Sequence, residues 1–222
     1  MDLSKKPVKG FLLDITGVLY NSAPDTPGVA IPAHAKLLGI VKQFEGIDTS
    51  NPNCVLMGIV KQFEDIDTSN PNCVLMGDAE EGFNYQTMNA AFRALLSMDN
   101  PLIITLGSGK FYQRLDGPCM DVGGFAQALK YACDARIVVI GKPDEQFFKA
   151  AVDDMGLTKD EVVMVGDDIV SDVGGAQKVG IRGVQVRTGK WRQSWINHDI
   201  KPDLLADDLH SVVNMLLSGK HV

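Results

Sequence analysis

The last third of the chain alternates between helical spacing and short apolar runs, and this alternation restricts the fold more than any other feature. The pattern predicts helices over residues 145–155, about 170–179 and 207–217, with strands over 161–165 and 184–186 between them. Gly180 stops the second of these helices. The strand runs, such as Glu-Val-Val-Met-Val, are unbroken rather than alternately polar, as expected of strands covered on both faces. Apolar strands joined by helices form a parallel sheet between two helical layers, whose ligands sit at the carboxyl ends of the strands. The expected fold class is therefore α/β, with a doubly wound, Rossmann-like parallel-sheet core. At 222 residues and 45% apolar, the chain can build such a core and a smaller insert.

Residues 8–13 read as a strand that runs into Asp14 and a tight turn at Gly17. Pro32 suits the first turn of a helix carrying Leu37, Leu38, Val41 and Phe44 at helical spacing. Residues 39–57 then recur at 58–76 with eighteen of nineteen positions identical, Gly46 facing Asp65 as the one difference. A solenoid needs three or more stacked units, so this pair reads as a recent tandem duplication, or an error in assembling the gene, with no function of its own. Each copy carries the turn signal Asp-Thr-Ser-Asn-Pro-Asn and the short strand Cys-Val-Leu-Met. Residues 84–98 suit an amphipathic helix with Met88, Ala91, Phe92, Leu95 and Leu96 on one side. Leu102–Leu106 is a strand ending in Gly107-Ser108-Gly109, a helix follows around 121–133, and Ile137–Ile140 is the next strand.

Three strand ends carry chemically capable residues: Asp14, Lys142, and the run Asp167, Asp168 and Asp172. Singly, such residues serve as turn or helix caps; together, each just beyond an apolar strand, they mark a site. Two carboxylates ~4 Å apart repel by about 4 kcal/mol at an effective dielectric near 20. Asp14, Asp167 and Asp172 therefore need a cation to stay ionised together, and hard oxygen ligands suit Mg²⁺. That cofactor and Lys142 would offset the charge of a phosphoryl group in transfer. Asp14, at a strand tip, is the candidate nucleophile for an aspartyl-phosphate intermediate.

The segments FLLDITGVLY, GKPDEQFF and VVMVGDDIVSDVGGAQKVGIRGVQVRTGKW resemble motifs one, three and four of the haloacid-dehalogenase-like hydrolases. The resemblance implies a hydrolase core over 1–45 plus 136–222, and a shortened α/β cap over 46–135 that contains the repeat. It also implies Asp14 as nucleophile and metal ligand, and the backbone carbonyl of Thr16 as a further metal ligand. Ile15 would line the substrate site, Lys142 would hold the phosphoryl group, Asp167 would bind Mg²⁺, and Asp172 would orient Lys142. The longer stretches IDTSNPNCV, NYQTMNAAF, LGSGKFY and LDGPCMDVGGFAQALKYAC resemble one branch of the family. That branch implies phospholysine, phosphohistidine and inorganic pyrophosphate as substrates, whether on a small molecule or a protein, and a homodimer.

Two positions depart from the family pattern. Most of the family carries Asp two residues after the nucleophile as general acid and base, where this chain has Thr16. A Thr hydroxyl is too weak an acid to protonate an alkoxide, which favours leaving groups that need little help. The second motif, an apolar strand ending in Thr or Ser, is missing ahead of Thr49-Ser50-Asn51. Cys54–Val60 is the nearby run that could fill the vacant sheet position, yet it ends in Lys61 and Gln62. The rival expectation is thus an impaired form that lacks motif two and retains metal or partner binding.

Other classes are excluded. With 21 basic against 28 acidic side chains, a net charge of −7 argues against nucleic acid and anionic membrane as partners. No apolar run approaches the ~18 residues of a membrane span. The four cysteines show no CxxC spacing, and the histidines show no ligand spacing. These features predict a cytoplasmic protein, which the family resemblance extends to the nucleus. A phospho-receiver domain needs its acidic pair before the phosphorylated Asp, whereas Asp167 and Asp168 come after Asp14.

Overall fold

A computed structural model describes residues 8–14, 18, 54–57, 70–114 and 116–217. The helix expected from Pro32, the missing second motif, Ile15 and Thr16 lie outside these residues. The chain divides into two compact units: residues 1–28, 112–119 and 142–222, and residues 29–111 and 120–141.

The first unit is built on a parallel sheet of β1 (Gly10–Leu13), β8 (Val162–Gly166), β9 (Arg182–Val186) and β10 (Leu204–Ala206), in the order β1-β8-β9-β10. All residues of β8 and β9 are buried, and successive β8 residues join opposite hydrophobic layers. Val162 and Met164 pack with Phe148 and Val152 of helix α3 (Glu145–Met155) and Ala176 of helix α4 (Gly175–Lys178). Val163 and Val165 pack on the other face with Val184, Val186, Ala206 and Val212 of helix α5 (Leu209–Leu217). Helices cover both faces, as unbroken apolar strands require. Phe148 has no exposed surface, and burying such a ring contributes roughly 1.5–3 kcal/mol. Asp144 caps the first turn of α3 through the Gln146 N–H, and Gly156 closes the helix at φ 63°.

The second unit holds the parallel sheet β2 (Cys54–Met57), β3 (Cys73–Met76), β4 (Leu102–Thr105) and β7 (Arg136–Val139), in that order. Helices α1 (Tyr85–Leu96) and α2 (Val122–Cys133) supply Ala91, Leu95, Ala126 and Leu129 to its core beside Val74, Met76 and Ile103. Leu96, expected on the buried side of α1, is 58% exposed. The strand before Lys142 pairs with β4, Leu102 facing Arg136, and belongs to the second unit, which runs to Gly141. Cys-Val-Leu-Met of the first repeat copy does not border β1. It pairs in parallel with its own duplicate, Cys54 facing Cys73.

A hairpin of β5 (Phe111–Arg114) and β6 (Gly117–Met120) follows β4. Among the described residues no strand borders β1 opposite β8, and Phe11 and Leu13 on that strand are 39% and 38% exposed.

Candidate active site

β1 delivers Asp14 to the end of the sheet, where its N–H donates to the Val165 carbonyl at 2.9 Å and extends the ladder by one residue. β8 ends at Gly166 and hands the chain to Asp167 and Asp168. The next turn, Ile169–Gly174, is a wide π-helical one rather than the start of the expected α-helix. The Val173 N–H reaches the Asp168 carbonyl five residues back. Asp168 caps it by accepting from the N–H groups of Val170 and Ser171. The wide turn carries Asp172 back over the end of β8. Its approach depends on Gly166, because a Cβ there would lie 2.1 Å from Asp172 Oδ2. Replacement by Ala (Gly166→Ala) should lower stability by about 1–3 kcal/mol, the range for forced overpacking. Because the clash falls on Asp172, affinity for Mg²⁺ should fall as well; an unchanged melting temperature and Mg²⁺ affinity would contradict this role of the glycine.

The resulting cluster is tight. Lys142 Nζ donates to Asp14 Oδ1 at 2.5 Å and to Asp172 Oδ1 at 2.7 Å. Asp172 is 1% exposed, and its Oδ2 accepts from the Asp168 N–H at 3.0 Å. One carboxylate oxygen each from Asp14, Asp167 and Asp172 lies within 4.8 Å of the others. The structure thus brings four of the sequence-expected residues together: Asp14, Lys142, Asp167 and Asp172. It does not describe Ile15 or Thr16.

A fifth residue, Lys190, was not among the expected ones. Its backbone N–H donates to Asp167 Oδ2 at 2.8 Å, and its ammonium donates to Asp168 Oδ2 at 3.0 Å. The backbone contact leaves no trace in residue type. The ammonium, by contrast, could be suspected from a Lys in the loop after β9, since loops at strand carboxyl ends build such sites.

Electrostatics follow from this geometry. Burial drives the Lys142 ammonium toward neutrality, but the carboxylates of Asp172 and Asp14 outweigh it and hold the pKa above its ordinary value. Burial raises Asp172, with Lys142 opposing. Burial likewise pushes Asp167 up to about 7, against the Lys190 N–H and ammonium, and Asp14 and Asp172 add to the rise. Asp167 Oδ1 is buried with no hydrogen-bond partner, which costs roughly 1–3 kcal/mol or more for a charged group. Three converging carboxylates with one orphaned oxygen fit a hard divalent cation.

Stability should depend on pH through Asp167. Between about pH 4 and pH 7 the folded protein keeps an Asp167 proton that the unfolded chain has released. This contribution is present below the unfolded value of 3.8 and is lost as pH rises through about 7. Without Mg²⁺, the wild type should therefore lose stability over this range relative to Asp167→Asn, by up to ~4 kcal/mol. Added Mg²⁺ should restore the wild type alone. Parallel pH–stability curves for the two proteins would contradict it.

The HAD-hydrolase-like family model matches residues 139–212. A zebrafish (Danio rerio) protein named phospholysine phosphohistidine inorganic pyrophosphate phosphatase is 47% identical, over 98% of this chain and 76% of its own length. The human protein of that name is 43% identical over 81% of this chain, which spans only 60% of the human length. Among solved structures, a 4-nitrophenylphosphatase from Thermotoga maritima matches with a TM-score of 0.76. It covers 96% of this chain and 98% of its own at 19% identity, a likeness of fold.

Proposed function

Because the chain belongs to the haloacid-dehalogenase-like hydrolases and, within them, to the phosphatases, we propose that it is a Mg²⁺-dependent phosphatase that works through an aspartyl phosphate on Asp14. Its substrates would be phospholysine, phosphohistidine and inorganic pyrophosphate, the groups named for its relatives. The observation that carries this reading is the convergence of Asp14, Asp167 and Asp172 at the carboxyl ends of β1 and β8, with Lys142 paired to Asp14 and Asp172.

Asp14, Asp167 and the Thr16 carbonyl would hold Mg²⁺, which supplies charge compensation for the phosphoryl oxygens. An Asp14 oxygen forms a bond to phosphorus while the bond to the leaving nitrogen or oxygen breaks, and the electron pair departs with the leaving group. Water then attacks phosphorus and Asp14 regains its electron pair, releasing inorganic phosphate. Lys142 offsets charge on the group in transfer, and Asp172 holds the Lys142 ammonium over Asp14. With Thr16 two residues on in place of a carboxylic acid, the site provides little protonation. A protonated phosphoramidate nitrogen, or the orthophosphate displaced from pyrophosphate, leaves without it.

The test is phosphate release with Mg²⁺ and with chelator. Imidodiphosphate and pyrophosphate should be cleaved with Mg²⁺ at least ~10²-fold faster than a simple alkyl phosphate, a factor in the range assigned to general acid catalysis. Equal rates would refute the leaving-group argument, and full activity in chelator would refute the metal.

A second reading, a form impaired in phosphoryl transfer, rests on the sequence: no apolar strand ending in Thr or Ser precedes Thr49-Ser50-Asn51. Loss of one preorganised donor costs ~10²–10³ in rate. A folded protein that binds Mg²⁺ but releases no phosphate would establish that reading.

A further inference from the structure

The second unit contains a cavity of about 290 Å³ between the first turns of α2 and the carboxyl ends of β4 and β7. This is where open parallel sheets place their ligands, and the volume lies at the lower end of the range for small-molecule sites. Its apolar wall is Ala126, Ile137 and Val139; its polar side chains are Thr105, Ser108, Lys110 and Gln127. Thr105 is 1% exposed, and its hydroxyl has no hydrogen-bond partner. A buried, unanswered hydroxyl costs roughly 1–3 kcal/mol, so a group arriving in the cavity to meet it recovers that loss.

The charge of that group follows from the wall. No carboxylate lines the cavity among the described residues, whereas Lys110 does. The start of α2 adds a positive end, although its amides are engaged: Val122 N–H donates to Asp121 Oδ1, Gly123 N–H to the Gly109 carbonyl and Gly124 N–H to the Asp121 carbonyl. The cation and the hydroxyls, not free amides, must therefore supply recognition. Gly123 also keeps the loop close, since a Cβ there would stand 2.5 Å from the Gly109 carbonyl.

We propose that this cavity binds a small organic anion. The carboxylate or phosphonate oxygens are met by Lys110, Ser108 and Thr105, and a single-ring apolar body lies against Ala126, Ile137 and Val139. This is a binding site separate from the carboxylate cluster, and it does not depend on the phosphatase reading.

Titration of the ¹⁵N-labelled full chain with benzoate and phenylphosphonate, with phenol as the uncharged control, tests the proposal. Saturable shifts are expected at the amides of Gly107, Ser108 and Gly124 with both anions and not with phenol. Lys110→Ala should weaken binding at least ~10-fold, equivalent to 1.4 kcal/mol. Thr105→Val should weaken it several-fold without lowering the melting temperature, since an apolar isostere removes the unpaired hydroxyl. The amides of Gly166 and Asp168 report the carboxylate cluster separately. No shift at the cavity amides up to ~10 mM ligand, shifts unchanged in Lys110→Ala, or equal binding of phenol would each overturn the proposal.

Discussion

Asp14→Asn is expected to abolish Mg²⁺-dependent phosphate release from imidodiphosphate, by a factor of at least ~10³, because the attacking oxygen is gone. The same variant should fold. The introduced amide would still offer an oxygen to Lys142, and one of three mutually repelling carboxylates would be neutral, so the melting temperature without Mg²⁺ should hold or rise. Affinity for Mg²⁺ should fall, because one of the three converging oxygens loses its charge. Each readout separates a chemical role for Asp14 from a structural one. Lost activity with a collapsed melting temperature would signal misfolding, and retained activity would remove Asp14 from the chemistry.

Lys142→Met is expected to fail in both respects. Lys142 is the cation between Asp14 and the buried Asp172, and its loss leaves Asp172 as an unpaired charge at 1% exposure. Breaking a buried pair from one side costs about 3–5 kcal/mol, or about 10 °C in a domain of this size. The loss should be largest in chelator and smaller with Mg²⁺, because a cation in the cluster replaces part of the missing charge. Phosphate release should fall at least ~10²-fold even where Mg²⁺ restores the fold, since Mg²⁺ does not stand where the ammonium stood. Lys142→Arg should recover much of the stability and little of the rate: a planar guanidinium cannot reproduce a point charge held between two carboxylates. An unchanged melting temperature for Lys142→Met in chelator would show that the pair is not what holds Asp172 in place.

These residues differ in how far residue pattern alone exposes them. Asp14, Asp167 and Asp172 were legible because each follows or soon follows an apolar run, and strand ends are where parallel sheets gather chemistry. β8 and its neighbours were legible for the same reason: Val162 to Val165 supply both hydrophobic layers, so no residue in the run can be polar. The sheet to which a strand belongs was not legible. Ile137-Val138-Val139 would suit either sheet by composition, and only pairing with β4 assigns it. The duplicated Cys-Val-Leu-Met strands likewise choose each other as neighbours through backbone hydrogen bonds, to which sequence identity contributes nothing. The π-helical turn at 169–174 was hidden because its spacing imitates an α-helix to within one residue. Lys190 reaches Asp167 through a main-chain N–H that any residue except proline would carry.

Covalent phosphorylation of Asp14 is the step on which the proposed chemistry rests. The full chain should be incubated with Mg²⁺ and radiolabelled imidodiphosphate, quenched in acid within one turnover and mapped by peptide. The expected product is an acid-stable, base-labile phosphoryl group on the peptide containing Asp14, absent from Asp14→Asn and absent in chelator. Turnover with no labelled Asp14 peptide, or with label on another residue, would contradict it.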